Sequence, residues 1–278
     1  MKEGDKKEKK EEVYPEVAIE DLTSELREAC ARGGWSTLTP VQAKAIPYLL
    51  AGRDVMVQSR TGSGKTGAYL LPIMEKIDWQ KKVTQALVLV PTRELALQVS
   101  QEAQRLAQGT QLNTAVVYGG VGYGAQLDAF RRGAQLVVGT PGRILDHLLK
   151  NNLSLDNLQI LIFDEADRML SMGFYPDMVK ISKYLPAHAI LSSMFSATFP
   201  PQVIRLAEQF LRAPQLLSLS GSQVHIAEIE HVYYVVPGMR KDRSLVRIIE
   251  TENPASAIIF CNTKDLSLIH ISEPTRPY

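Results

Sequence analysis

The sequence predicts an α/β fold, a parallel sheet covered by helices on both faces, and three observations carry that prediction. Short apolar runs alternate with helix-compatible segments from about residue 55 to residue 219. Those runs are apolar at consecutive positions, as strands buried on both faces are. One of them, Val55-Met56-Val57-Gln58, passes through Ser59-Arg60-Thr61-Gly62-Ser63-Gly64 into Lys65-Thr66 and a helical pattern. That strand–loop–helix order is the context a phosphate-binding loop needs.

The first twelve residues hold five lysines and five acids, a mixed-charge tail with nothing apolar to bury. We place this tail over residues 1–14. Leu22, Leu26, Ala29 and Cys30 share one helical face and Gly33-Gly34 stop that helix. Thr39 is a candidate N-cap with Pro40 at the first helical position, for a helix running toward Leu50 and ending at Gly52. Strands are expected at residues 55–58, 86–90, 114–118, 136–138, 160–163, 190–195 and 216–219. Helices are expected at 65–77, 93–107, 125–130, 143–150, 166–170, 178–184 and 202–210, with Pro72 kinking the first of these or shifting its start. Beyond Gly221 the pattern opens again, with a β-type run at 231–236, a helix at 243–250 and a strand at 257–260.

Ligands of such sheets bind at the carboxyl ends of strands. The glycine loop after Gln58 and Asp164-Glu165-Ala166-Asp167, which follows Leu161-Ile162-Phe163, both fall at such ends. Backbone N–H groups of the loop and the helix N-terminus behind it suit phosphate oxygens. Lys65 would add a full charge near the β/γ-phosphates and Thr66 a hydroxyl for Mg²⁺. An acid at a neighbouring strand end, Asp164, would hold the water shell of Mg²⁺. Glu165 would orient or deprotonate an attacking water. By themselves the acids equally fit a helix N-terminus favoured by the dipole; the loop about 100 residues upstream tips the balance. Ser59 stands where the general loop pattern has glycine.

Composition sets the frame. The chain has 278 residues, 45% hydrophobic and 22% charged, with a formal net charge of +1, so a nucleic-acid partner must be met by local basic groups rather than an overall field. Cys30 and Cys261 are the only cysteines, which argues against a disulfide framework or a structural zinc site. The apolar runs are too short to span a bilayer, and charges stand where a signal peptide has its apolar core. We expect a cytoplasmic protein without membrane association.

Three further segments, each an ordinary turn alone, become informative as an ordered set: Pro91-Thr92-Arg93-Glu94-Leu95-Ala96, Thr140-Pro141-Gly142-Arg143 and Ser196-Ala197-Thr198. Together with Gly34 to Gln42, Ser59 to Thr66, Gly119-Gly120 and Asp164 to Asp167, in this order, they resemble the DEAD-box ATP-dependent RNA helicases of superfamily 2. Residues 257–263 resemble the start of a further motif. The resemblance covers about residues 15–265. It implies a RecA-like phosphate-loop domain and, as cofactors, ATP and Mg²⁺. Gln42 would recognise adenine, and residues Ser59 to Thr66 would hold the phosphates. Asp167, Ser196, Ala197 and Thr198 would couple the nucleotide site to RNA. Pro91, Thr92, Arg93, Gly119, Gly120, Thr140, Pro141, Gly142 and Arg143 would line an RNA-backbone track with little sequence specificity. Two positions depart from the family's pattern: Val17 stands where an aromatic residue usually stacks on adenine, with Tyr14 nearby, and Leu38 stands where proline is usual.

The expected organisation is therefore a charged tail over 1–14, the ATP-binding domain over 15–220, a linker and the opening of a second RecA-like domain over 221–265, and a tail over 266–278. Residues 266–276 resemble the translation of a transposase-type sequencing adapter, so His270 and Arg276 receive no functional weight. In the family the second domain closes over ATP and supplies arginines that stabilise the transferring phosphate; none of this follows Thr263. The expectation is a fragment that binds ATP and hydrolyses it poorly. Alternatives left open by the sequence are a non-enzymatic ATP-dependent RNA-binding scaffold, a DNA-directed translocase of the same superfamily, and a phosphate-loop kinase.

Overall fold

In a computed structural model, residues 13–219, 230, 232–236 and 241–260 are described. The chain divides between residues 224 and 225 into two units. The first is built on a seven-stranded sheet of order β3-β4-β2-β5-β6-β1-β7 among the described residues. The strands are β1 (Val55–Gln58), β2 (Ala86–Leu89), β3 (Thr114–Val117), β4 (Leu136–Gly139), β5 (Ile160–Asp164), β6 (Leu191–Ser196) and β7 (Gln215–Ser218). Every pairing is parallel, so all strand carboxyl ends fall on one edge.

Among the described residues, nine α-helices accompany it: α1 (Ser24–Arg32), α2 (Pro40–Leu50), α3 (Lys65–Lys76), α4 (Arg93–Leu106), α5 (Gly124–Arg131), α6 (Pro141–Leu149), α7 (Ala166–Ser171), α8 (Tyr175–Ile181) and α9 (Pro201–Phe210). The sheet separates two apolar cores. Val55, Val57, Val88, Ile162 and Phe195 pack with α1 to α4 on one face. Met56, Leu87, Leu89, Phe163 and Met194 pack with α5 to α9 on the other. In the inner strands consecutive residues thus bury on opposite sides, which is why they read as unbroken apolar runs, whereas the edge strands β3 and β7 are only partly buried.

Pro72 does not shift the start of α3; the helix runs from Lys65 to Lys76 with Pro72 inside it. Complete burial of Tyr69, Leu70 and Leu71 offsets an interior proline's penalty of about 3 kcal/mol. Tyr14, placed at the end of the charged tail, packs edge-on against Tyr48 with ring centroids 4.9 Å apart. Asp54, just before β1, ties three elements together. Its carboxylate accepts from Ser192 N at 2.9 Å, ahead of most of β6, and from Arg212 N at 2.7 Å, after α9, while its carbonyl accepts from Gln215 N at 3.0 Å.

In the second unit, α10 (Lys241–Glu252) forms where a helix was expected. The two expected strands do not. Residues 232–236 and 257–260 lack strand structure, and Tyr233, Ile258 and Phe260 are more than four-fifths exposed. A β-type run gains ladder hydrogen bonds and a buried face only beside another strand, and the described residues of this unit provide none. The tail expected over 266–278 lies outside the described residues.

Candidate functional site

Strand order determines what meets at the carboxyl edge. β5, β6 and β1 are neighbours, so Asp164 at the end of β5, Ser196 at the end of β6 and the loop after β1 stand side by side. Register makes this concrete: Gln58 is level with Ser196, and Asp164 with Phe195.

The loop 59–64 is held in shape before any ligand arrives. Ser59 N donates to Ser196 O at 3.0 Å, and Ser59 Oγ donates to Ser63 Oγ at 2.7 Å. Ser59 therefore serves as a loop brace where the general pattern has glycine. Gly62 and Gly64 take φ of 79° and 93°, a left-handed conformation that favours glycine. Arg60 and Thr61 are exposed, while Ser63 and Thr66 are half-buried. Lys65 is buried, and its Nζ donates to Ser59 O at 3.0 Å. The Gln42 amide sits against the same loop: its Oε1 accepts from Thr39 N at 2.9 Å, and its Nε2 donates to Gly64 O at 3.1 Å. One N–H and one lone pair of that amide remain for a ligand. A cavity beside it is lined by Trp35, Thr39, Gln42, Gly64, Thr66 and Gly67, among others. Tyr14 and Val17 are not part of this lining.

Asp164 is 2% exposed. Its Oδ2 accepts from the Tyr69 hydroxyl at 2.8 Å, and its Oδ1 has no hydrogen-bond partner among the described residues. Burial pushes its carboxyl above the usual range, with the Lys65 charge and the Tyr69 hydrogen bond acting the other way. Glu165 adopts the left-handed conformation, φ 54° and ψ 51°, which costs a non-glycine residue about 1 kcal/mol or more. Its Oε2 lies 3.2 Å from Arg168 NH1.

Asp167 reaches across to the end of β6. Its Oδ2 accepts from Thr198 Oγ1 at 2.7 Å and from Thr198 N at 3.0 Å, and its own N–H donates to Ser196 Oγ at 3.1 Å. Partial burial acts to raise its carboxyl, but hydrogen bonds with Thr198 and Ser196 outweigh that and hold it below the usual range. Ala197 contributes its carbonyl, which accepts from Gln58 Nε2 at 3.4 Å. Thr61, Lys65, Glu165, Asp167, Ala197 and Thr198 share the lining of one open cavity of about 510 Å³.

The other half of the edge carries the second group. β3, β4 and β2 are neighbours, and Pro91, Thr92, Arg93, Gly119, Thr140, Gly142 and Arg143 line a single open cavity of about 560 Å³. Thr92 Oγ1 caps α4 by accepting from Leu95 N at 3.2 Å. The exposed Arg93 guanidinium lies over the Tyr118 ring, 4.8 Å from its centroid. Gly120 is exposed with φ 81°, outside the lining. Pro141 is buried as the first residue of α6. Arg143 is mostly engaged within the protein: its Nε donates to Gln126 Oε1 at 3.1 Å and its NH2 to Val121 O at 2.7 Å. It also stacks on Tyr123 at 3.8 Å. It braces the 119–123 loop as much as it faces the cavity.

Tyr69 and Asp54 did not stand out as site residues in the sequence, and Trp35 was named only within the Gly34 to Gln42 segment. Tyr69 carried a signal: a phenol inside an otherwise apolar helix needs a polar partner when buried. Trp35 covers Gly67 so closely that a Cβ there would lie 2.5 Å from the indole.

Among the described residues, no helix is long and apolar enough to cross a membrane. Residues 39–206 match the family described as DEAD/DEAH box helicase. The chain is 42% identical over 248 residues to the ATP-dependent RNA helicase DeaD of Escherichia coli (strain K12), covering 89% of this chain and 39% of that protein. It is 38% identical over 245 residues to the DEAD-box ATP-dependent RNA helicase CshA of Bacillus subtilis (strain 168), covering 88% and 49%. A crystal structure of a DEAD box protein from the hyperthermophile Methanococcus jannaschii matches with a TM-score of 0.70 and 35% identity, over 74% of this chain and 57% of that one. The first unit thus has the RecA-like fold, and the chain spans about two fifths to one half the length of the curated relatives it matches. With the family match covering more than half of its residues, the chain belongs to the DEAD/DEAH box helicases.

Proposed function

We propose that this chain carries the nucleotide-handling domain of an ATP-dependent RNA helicase, which couples ATP binding and hydrolysis to local opening of an RNA duplex. The observation that carries the proposal is the division of one sheet edge. The phosphate loop, Asp164 to Asp167 and Ser196 to Thr198 stand on β1, β5 and β6, while the cavity lined by Thr92, Arg93, Gly119, Thr140 and Gly142 stands on β2, β3 and β4. The names of the relatives, ATP-dependent RNA helicases, support the same assignment.

In this reading Lys65 exchanges the neutral Ser59 carbonyl for a phosphate oxygen, a charge-assisted and stronger acceptor. Backbone N–H groups of residues 60–66 and the start of α3 complete the phosphate cradle. Gln42 offers its remaining donor and acceptor to the adenine edge. The residues fit Mg²⁺: Asp164 Oδ1 is buried without a partner among the described residues. No group of three or more His, Cys, Asp or Glu forms a protein-only cage among them either, and Mg²⁺ favours one or two protein oxygens plus water and phosphates. When bound, Mg²⁺ neutralises charge on the β- and γ-phosphates. Thr66 and Asp164 would hold it, and Glu165 would position the attacking water.

Asp167 links this pocket to Ser196 and Thr198, so displacement of either side strains shared hydrogen bonds. On the RNA side, N–H groups, hydroxyls and Arg93 suit phosphate and sugar contacts that position a strand without reading its sequence, and a 2′-hydroxyl contact would distinguish RNA from DNA. Photo-crosslinking of single-stranded oligouridine to the 278-residue chain, followed by peptide mapping, tests the assignment. Crosslinks are expected in peptides containing residues 91–93, 118–120 and 140–143. Crosslinks confined elsewhere, or equal labelling by the DNA analogue, would overturn it.

A further inference from the structure

Tyr69 lies one helical turn beyond Lys65 on α3, on the same side of the helix. It is completely buried, and its ring packs edge-on against Phe195, with centroids 5.2 Å apart. Packing alone needs only a phenyl ring. The hydroxyl does something else: it donates to Asp164 Oδ2 at 2.8 Å. The phenol therefore holds one oxygen of a side chain assigned above to Mg²⁺.

The consequence is geometric. A carboxylate at the end of a strand can rotate about its terminal bond. With Oδ2 fixed by a buried phenol, that rotation is stopped and Oδ1 is the oxygen left without a partner. We propose that Tyr69 is a positioning residue for metal-bound nucleotide: its hydroxyl fixes Asp164 Oδ2, so that Mg²⁺ meets an oriented carboxylate rather than one free to rotate. The proposal rests on the Mg²⁺-nucleotide assignment of the preceding subsection. Tyr69 is completely buried and acts through Asp164, as groups behind a metal's ligands generally orient them.

Equilibrium titration of ADP against the 278-residue chain, once in excess EDTA and once in millimolar Mg²⁺, separates metal-dependent from metal-independent affinity. Tyr69→Phe keeps the ring and its contact with Phe195. It is expected to leave the EDTA affinity within about twofold of wild type, and to remove about tenfold of the gain conferred by Mg²⁺, the scale of one hydrogen bond to a charged group. Phe195→Leu disturbs the ring packing while keeping the hydroxyl. It is expected to lower the melting temperature and retain the gain. A Tyr69→Phe chain with the full wild-type gain overturns the proposal. So does one that loses ADP affinity equally in EDTA, since that is the mark of a packing role only. Asp164→Asn tests the underlying site: it should abolish the gain. If Asp164→Asn keeps the gain, or wild type shows none, the Mg²⁺-nucleotide assignment itself fails, and the role of Tyr69 with it.

Discussion

Asp167 is a residue whose hydrogen bonds depend on pH. Its carboxylate accepts twice from Thr198 and once from Arg168 N at 2.9 Å. Its folded pKa lies below the ordinary 3.8. A depressed carboxyl stabilises the fold fully above its unfolded value, and that contribution is lost as pH falls through the folded value. Asp167→Asn should therefore cost about 1–2 kcal/mol at neutral pH, the range for hydrogen bonds to a partly exposed charge. The difference from wild type, measured by urea denaturation, should shrink as pH is lowered beneath 3.8. A difference that stays constant down to pH 3 would assign it to packing instead. The Ser196–Thr198 segment had no distinguishing feature as a string, and only its place in an ordered set of motifs singled it out. Lys65 and Asp164 were legible because loop chemistry and strand ends are local. Tyr69 was not, because the partner that explains its hydroxyl is 95 positions away.

For whole elements, the sheet was legible in its strands but not in its order. Apolar runs at consecutive positions mark strands buried on both faces, and all seven in the first unit form close to where the pattern placed them. Their neighbours depend on contacts that no local pattern encodes, such as the Asp54 brace between the start of β1, β6 and the turn before β7. Burial pushes the Asp54 carboxyl up, and the two N–H donors from Arg212 and Ser192 counter this. Removing it strands two backbone donors. Asp54→Ala should destabilise the chain by about 2–4 kcal/mol without moving the phosphate loop, so thermal melting should fall while ADP affinity at 10 °C is retained. Loss of ADP affinity in a chain still folded at that temperature would show that the brace belongs to the site. The runs at 232–236 and 257–260 show the limit of pattern reading. They carry strand composition, and no strand forms among the described residues of that unit to receive them.

On the scale of the molecule, the proposed nucleotide and RNA functions would divide one sheet edge between adjacent strand triplets. Legibility at this scale came from ordered motifs over some 200 residues rather than from composition, whose net charge of +1 gives no hint of a nucleic-acid partner.

The central claim is that the loop before α3 is a nucleotide site whose buried lysine waits on a replaceable carbonyl. Isothermal titration of ATP with Mg²⁺ into wild type and Lys65→Ala tests it most directly. Wild type is expected to bind measurably with one-to-one stoichiometry, and Lys65→Ala to lose about tenfold or more in affinity, the scale of a charge-assisted contact to phosphate. Unchanged affinity in a folded Lys65→Ala chain would contradict it.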